Sequence, residues 1–553
     1  MKKLLITLAA LAICLGGLWF SRPVYRSFKE KRFVAQAAEY SRKSDSAKAA
    51  LFARQALQIN PTNPVSTKIM ADLADHSNSP QVLAWRQRVV ELEPTVENKI
   101  ALGMASIRYE PSPFSIAEKM VRELAASGST NARYQMLASE LALKRRNFPQ
   151  AEIHLQKVLA LSPTNDIARV NLAVLQLESP DAKTVAAARE ILEKMQGNSE
   201  HGLRGLRSLV ENALKRNELE AAENFSKKLL GDSRAMFIDR LVHLTVLQRK
   251  KSPGFEEYLG SIQKTASTNA ENIYKLVSWM NVNQLSDAAL QWIKSLPTEM
   301  QGQQPVPIAE ADCYAAKKEW SRLETFLSEQ KWGDRDFIRA AMLARALDAQ
   351  KQDMGADVQW QKAIRLASDK METLSLLVGM AEGLGNRPRV EEALWAMWEK
   401  YPAESGVPKA LLQSYYSTGN TRGLQKVYAR LAEKESDTES QNNYALLSLL
   451  LGLNVENAHR LGEEVFRKEP KNPSYLSTHA FSLHLQDKDA EARKLFEQLT
   501  EKDLENPAVA GYYGVILASA KQTEKARKYL DLAKSAPLLP EEKMIMEAAR
   551  KKL

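Results

Sequence analysis

Residues 507–540, PAVAGYYGVILASAKQTEKARKYLDLAKSAPLLP, hold two runs of small and apolar side chains at helical spacing. Ala510, Tyr513, Gly514 and Leu517 follow at steps of three, one and three, and Ala526, Leu530 and Ala533 at steps of four and three. Each run therefore lays one apolar stripe along a helix. Between them, Ala520, Lys521, Gln522 and Thr523 make a short, mostly polar turn, and Pro537 marks the exit from the second helix. The segment reads as a helical hairpin in which Gly514 is expected to face Ala526 at a close backbone approach, with Leu530 filling the space beside them. Neither helix can bury its stripe alone, so such hairpins must stack.

The same unit recurs toward the N-terminus. Ala49, Ala117 and Ala151 are separated by 68 and 34 residues, and Ala288, Ala356, Ala458, Ala492 and Ala526 by 68, 102, 34 and 34. Proline keeps the period, with 102 residues from Pro61 to Pro163 and 68 from Pro402 to Pro470. Large side chains keep it too, through Trp292, Phe326, Trp360, Leu394, Tyr428, Phe496 and Leu530, broken only by Gly462. Ala49 to Ala526 is 477 residues, fourteen periods of 34 plus one, which places about fifteen repeats between Glu30 and Pro540. The frame weakens in the middle: Ala221 sits two residues late, and Val242 stands where a small residue is expected, although Gly254 and Tyr258 keep the register. The stretch with Pro297, Pro305 and Pro307 falls at a repeat boundary and reads as an irregular turn before a shortened helix.

In the first repeat, Phe33, Ala37, Tyr40, Ala49, Ala53, Ala56 and Pro61 occupy the fourth, eighth, eleventh, twentieth, twenty-fourth, twenty-seventh and thirty-second positions. This pattern resembles the tetratricopeptide repeat, a 34-residue helix-turn-helix unit, with only Ala53 smaller than that family prefers. The repeat from Pro473 is similar through Leu476, Ala480, Leu483, Ala492 and Phe496, and departs at Leu499, where the family has a small residue. The resemblance implies an all-α chain forming a right-handed α-solenoid of about fifteen hairpins over 30–540. The tail 541–553, with Met544, Met546 and Ala549 among charges, reads as a capping helix.

Charge is unevenly placed. The 77 basic and 67 acidic residues leave +10, of which the first 43 residues, with nine basic and two acidic, supply +7. The remaining 510 residues carry only +3, which disfavours nucleic-acid binding, since phosphate affinity needs clustered basic charge. Leu4 to Phe20 is seventeen residues without a charge, flanked by Lys2, Lys3 and Arg22 and ending in Trp19 and Phe20. As a helix it spans about 25 Å, the short end for a bilayer core. Residues 1–29 are thus expected to form a membrane anchor with its basic flank. Cleavage after Ala10-Leu11-Ala12 would leave a greasy terminus, and Cys14 follows Ile13 rather than a small residue, so an uncleaved anchor fits better than a signal peptide or a lipoprotein. The strong basic flank after the segment favours a cytoplasmic body, whereas the Lys-Lys start resembles that of a bacterial export signal. The expectation adopted is a single-pass inner-membrane protein with its body on the outer face, the cytoplasmic face being the alternative. Outside the anchor Cys313 is the only cysteine, so the body can form no internal disulfide.

No catalytic, cofactor or metal site is expected. The seven histidines, His76, His154, His201, His243, His459, His479 and His484, form no metal-ligand pair; His479 and His484 lie about 140° apart around a helix. Gly383 and Gly385 have no preceding strand and break at Pro388, which makes them an inter-helix turn. Trp292 and Trp360 sit at packing positions, and Trp398, three residues after Trp395, is the less constrained one.

In arrays of this family the first helix of each hairpin lines a concave face that binds proteins or peptides. By position, that face in the last three repeats carries Asn443 and Leu447, then Ser477, Phe481 and His484, then Gly511, Val515 and Ala518. The lysine and asparagine clamp some members use for a C-terminal carboxylate is not recognisable there. The functional expectation is a membrane-tethered scaffold that binds partner proteins, the alternative being an accessory part of an envelope export or polysaccharide-assembly machine handling glycan or nascent chains.

Overall fold

The computed structural model describes residues 24–110, 114–126, 128, 130–195, 200–433 and 437–553. The anchor expected over 4–20 lies outside them. Among the described residues there is no strand, and no helix is long and apolar enough to cross a membrane. Contacts divide the chain into two compact units, residues 1–266 and 267–553.

The first unit consists of seven hairpins, from helix 24–42 paired with Ser46–Ile59 to Phe237–Lys250 paired with Phe255–Ala266. The second consists of eight, from Ala270–Val282 paired with Ser286–Ser295 to Pro507–Ser519 paired with Thr523–Leu532. First helices begin at Pro64, Ala132, Asp166, Glu200, Asp336 and Thr438, all multiples of 34 counted from residue 30. Short polar side chains set several of these starts. Asn63, Asn165, Asn472 and Asn506 each accept a hydrogen bond from a backbone N–H of the first turn, at 2.9, 3.0, 3.1 and 3.2 Å. Pro64, Pro473 and Pro507 then occupy helix positions whose N–H groups need no partner.

The turn inside the hairpin uses one device repeatedly. Lys318, Lys351, Gly385, Gly419, Gly452, Asp487 and Lys521 all have positive φ, between 57° and 65°. A left-handed residue reverses the chain and lets its backbone N–H cap the helix just ended: Lys351 donates to Asp348 O at 3.0 Å and Gly385 to Glu382 O at 2.9 Å. A side chain in this region costs roughly 1–2 kcal/mol. Lys351→Gly is therefore expected to raise the stability of the second unit by about 1 kcal/mol, read as a shift in the urea midpoint.

The Pro297–Pro307 stretch forms a short helix, Thr298–Gly302, and the following helix, Val306–Ala316, has 11 residues against 14 in Asp336–Ala349. Two pairings differ from expectation. A Cβ on Gly514 would lie 2.7 Å from Leu530 Cγ and 3.0 Å from Leu530 N, so the close approach is to Leu530 and not to Ala526. Within Leu219–Leu230 it is Ala222 that is fully buried, not Ala221, because this helix starts late in the frame.

The C-terminal helix, Pro540–Arg550, buries Met546 and Ala549 and leaves Met544 61% exposed. It packs on the first helix of the last hairpin, Pro507–Ser519, and also on Thr438–Leu451. Its start reaches Thr421, whose hydroxyl donates to Glu541 across 120 residues of sequence.

Candidate functional site

The groove positions expected from the sequence do not form an open surface. Leu447, Ser477, Phe481, Gly511, Val515 and Ala518 are buried, and only Asn443 and His484 are partly exposed. For all of the buried positions but Ser477 the physical reason is the C-terminal helix. Met546 sits on Gly511, where a Cβ would come 2.1 Å from its Cε, and Phe481, Val515 and Ala518 share a buried cluster with Met546 and Ala549. Leu447 belongs to the cluster that takes in Leu539 at the start of the same helix. The partly exposed His484 is tied through Nδ1 to Asp489 at 2.5 Å.

An open groove lies further back on the first helices of the second unit. It has a volume of about 490 Å³ and runs over Ala270–Val282, Val306–Ala316, Asp336–Ala349 and Met371–Gly383. Ile308, Ile338, Met342, Leu376, Met380 and Leu384 supply apolar walls, and Leu376 and Leu384 are 48% and 46% exposed. Gly379 and Gly383 line it with no atom within 4 Å of where a Cβ would stand. A further hollow of about 350 Å³ continues over Arg345, Met380 and Leu384 to Trp320, Trp360 and Arg389.

Three charges lining the groove have no ion-pair partner within 4.0 Å among the described residues: the exposed Arg335, and Asp312 and Arg345 deeper in it. Arg345 instead lies over the Trp320 ring, 5.4 Å from its centroid. The contrast with Arg389 is direct, since Arg389 grips both carboxylate oxygens of Asp348 at 2.7 and 3.0 Å. Burial pushes the Asp312 carboxyl up to about 6, with Arg345 drawing it back down, and burial lowers Arg345 from its usual range.

A carboxyl raised above its ordinary 3.8 costs stability in the charged form. That cost is fully present above pH 6 and vanishes as the pH falls toward 4. At about 1.4 kcal/mol per pH unit it amounts to at most about 3 kcal/mol. Asp312→Asn is accordingly expected to stabilise the second unit at pH 8 by up to that amount, with the gain disappearing near pH 4. Urea denaturation at the two pH values checks this.

The first unit has a larger hollow of about 690 Å³ along Ala182–Lys194, but each of its charges except the exposed Arg216 is ion-paired within the unit. Arg189 pairs with Glu218 at 2.6 Å and Lys194 with Glu190 at 2.5 Å. Elsewhere, His243 Nδ1 and Ser226 Oγ are 2.8 Å apart in the interior, and His459 Nδ1 lies 2.6 Å from Ser482 Oγ. The Ser226 hydroxyl is also 3.0 Å from Glu223 O, which makes this a structural link. Burial pushes the Cys313 thiol up to about 12. Trp398, expected to be the less constrained one beside Trp395, is 4% exposed, with the Arg430 guanidinium 4.3 Å from its ring centroid; Trp395 is the more accessible of the two.

The sequence held a signal for the open groove. Asn443, Leu447 and Phe481 moved back by 102 residues, three periods, give Ala341, Arg345 and Gly379, and His484 moved back by 136 gives Asp348. All four line the open hollows.

No protein-family model matches the chain, and no curated protein matches it. Among solved structures, the chain is similar to the subject of the functional characterization of Pseudomonas aeruginosa pilF, at 14% identity and a TM-score of 0.33, covering 40% of this chain and 98% of that one. It is also similar to a chain of the APC/C hetero-tetramer Cut9-Hcn1, at 12% identity and 0.27 over 90% and 99%. A chain of Naa15/Naa10 bound to HypK-THB matches at 12% and 0.29 over 94% and 96%. At these scores the likenesses carry no weight here; the fold rests on the hairpins themselves.

Proposed function

We propose that this chain is a membrane-tethered scaffold whose tetratricopeptide-like hairpins hold a segment of a partner protein in the groove of the second unit. The observation that carries this reading is the pair Asp312 and Arg345, unpaired charges of opposite sign set among apolar walls that Gly379 and Gly383 leave open. A peptide suits such a groove, since it brings side chains of either sign on a backbone that offers donors and acceptors. The tether is supported by the uncharged run 4–20 and its basic flank. The outer face of the inner membrane is proposed for the body on the Lys-Lys start alone, the flank after the run favouring the cytoplasmic face as the alternative.

Photo-crosslinking from positions 376 and 384 tests the groove, with position 354 on a second helix, where Met354 is 87% exposed, as control. Discrete adducts are expected from 376 and 384 and not from 354; equal labelling at all three contradicts the reading. Gly379→Leu fills the groove from an open helical position and replaces glycine with a better helix former. It is expected to abolish the adducts while leaving the melting temperature unchanged or higher. Protease treatment of intact cells tests the tether. Digestion of the body supports the outer face, and protection until lysis places the array in the cytoplasm.

A further inference from the structure

The face covered by the C-terminal helix is built for a helix of particular chemistry. Two hydroxyl donors point at its first turn: Thr421 donates to Glu541, and Tyr512, buried to 4% exposure, donates from Oη to Glu542 Oε1 at 2.6 Å. Two glycines make room for it. A Cβ on Gly419 would lie 3.2 Å from Pro540 Cδ, and one on Gly511 would collide with Met546. These four groups come from hairpins 92 residues apart, Gly419 to Gly511, and converge on one short helix.

The hold on that helix rests on few fully buried side chains, with Ile545 partly buried against the same cluster and Arg550 tied to Asp531 at 2.8 Å and to Leu530 O. Met546 and Ala549 are its only buried residues, joined by Leu539 just before it. The link from Lys534 to Leu538 carries no buried residue, with Lys534, Ser535 and Pro537 exposed. A segment secured by few apolar contacts opens at low free energy compared with the hairpins beneath it.

We propose that the last four hairpins form a helix-binding site whose resident ligand is the chain's own tail, and that this tail is displaceable. The site accepts in trans a partner helix of the same chemistry: acidic residues in the first turn, a methionine-sized side chain four residues after the second acid, and a small residue three further on. The seat is separate from the open groove of residues 271–389, so it stands or falls independently of the reading given for that groove.

The test uses a labelled synthetic peptide of residues 537–553 and two forms of the protein. One is the full chain with a protease site inserted between Ala536 and Pro537; the other is a chain ending at Ala536. After cleavage, the tail is expected to exchange with excess peptide within minutes to hours. The shortened chain is expected to bind the peptide at least 100-fold more tightly than the intact chain does, and a peptide carrying Met546→Glu is expected not to bind. Should the shortened chain fail to fold, the cleaved full chain decides. A tail that stays bound through gel filtration at nanomolar concentration and never exchanges overturns the proposal. So does a folded shortened chain that ignores the peptide.

Discussion

Phe496→Ala is expected to lower the stability of the terminal hairpins by about 3–5 kcal/mol. The helix Asp489–Phe496 has eight residues, and Ala492 and Phe496 are the only ones it buries. Phe496 is fully buried, and its ring stacks on Tyr513 of the next hairpin with centroids 4.9 Å apart and planes at 24°. Truncation removes one of two anchors and leaves a cavity between neighbouring hairpins, which a short helix cannot close by shifting. Urea unfolding of the second unit checks this, with an early transition for the variant as the expected outcome. A midpoint within experimental error of the parent would mean the ring is not a core element.

Arg207→Met is expected to cost about 3–5 kcal/mol in the first unit, the range for stranding one member of a buried ion pair. Arg207 Nε and Nη2 donate to the two carboxylate oxygens of Asp239 at 2.7 and 2.8 Å, and Asp239 is 1% exposed. Without the guanidinium, the backbone N–H of Met236, at 2.8 Å, is the remaining donor to that carboxylate among the described residues. The direction of substitution matters. Asp239→Ala strands Arg207, whose side chain is 33% exposed and stays hydrated, so the loss should be smaller. The double variant Arg207→Met with Asp239→Asn should recover part of the loss, because no charge is then left buried. Denaturation of the three variants at pH 7 gives the ordering.

The hairpin period was legible because it is carried by packing, and packing constrains residue size at fixed spacing. Ala49, Ala356, Ala458, Ala492 and Ala526 are all fully buried, and Trp360, Phe496 and Leu530 lie within 3% of full burial. The turns were not legible as a repeat, because the left-handed position asks only for a backbone conformation. Lysine, aspartate and glycine all supply it, at Lys351, Asp487 and Gly385. Leu499 departed from the family pattern for a reason visible only in the structure: its helix ends at Phe496, so position 499 has no helix crossing to keep small.

The candidate site was partly legible. The frame pointed to positions whose equivalents line the open hollows, but in hairpins that the C-terminal helix covers, since nothing in residues 541–553 announces that this helix reaches back to Thr421. A contact across 120 residues depends on how the hairpins curve, and curvature accumulates from small rotations at every interface. Asp312 and Arg345 were invisible for the opposite reason. An unpaired buried charge looks like any other charge in a sequence.

If every hairpin is held by its neighbours, a local lesion must stay local. Leu137 is fully buried at such an interface, where a Cβ on Gly103 of the preceding hairpin would lie 2.8 Å from one of its methyl carbons. Hydrogen exchange read by mass spectrometry in Leu137→Ala is the direct measurement. A neighbour-held stack predicts faster exchange in helices Val96–Tyr109, Ala132–Lys144 and Phe148–Leu161, with Phe237–Lys250 and Phe255–Ala266 unchanged. An equal loss of protection across residues 24–266 would contradict it and show the unit to be a single cooperative core.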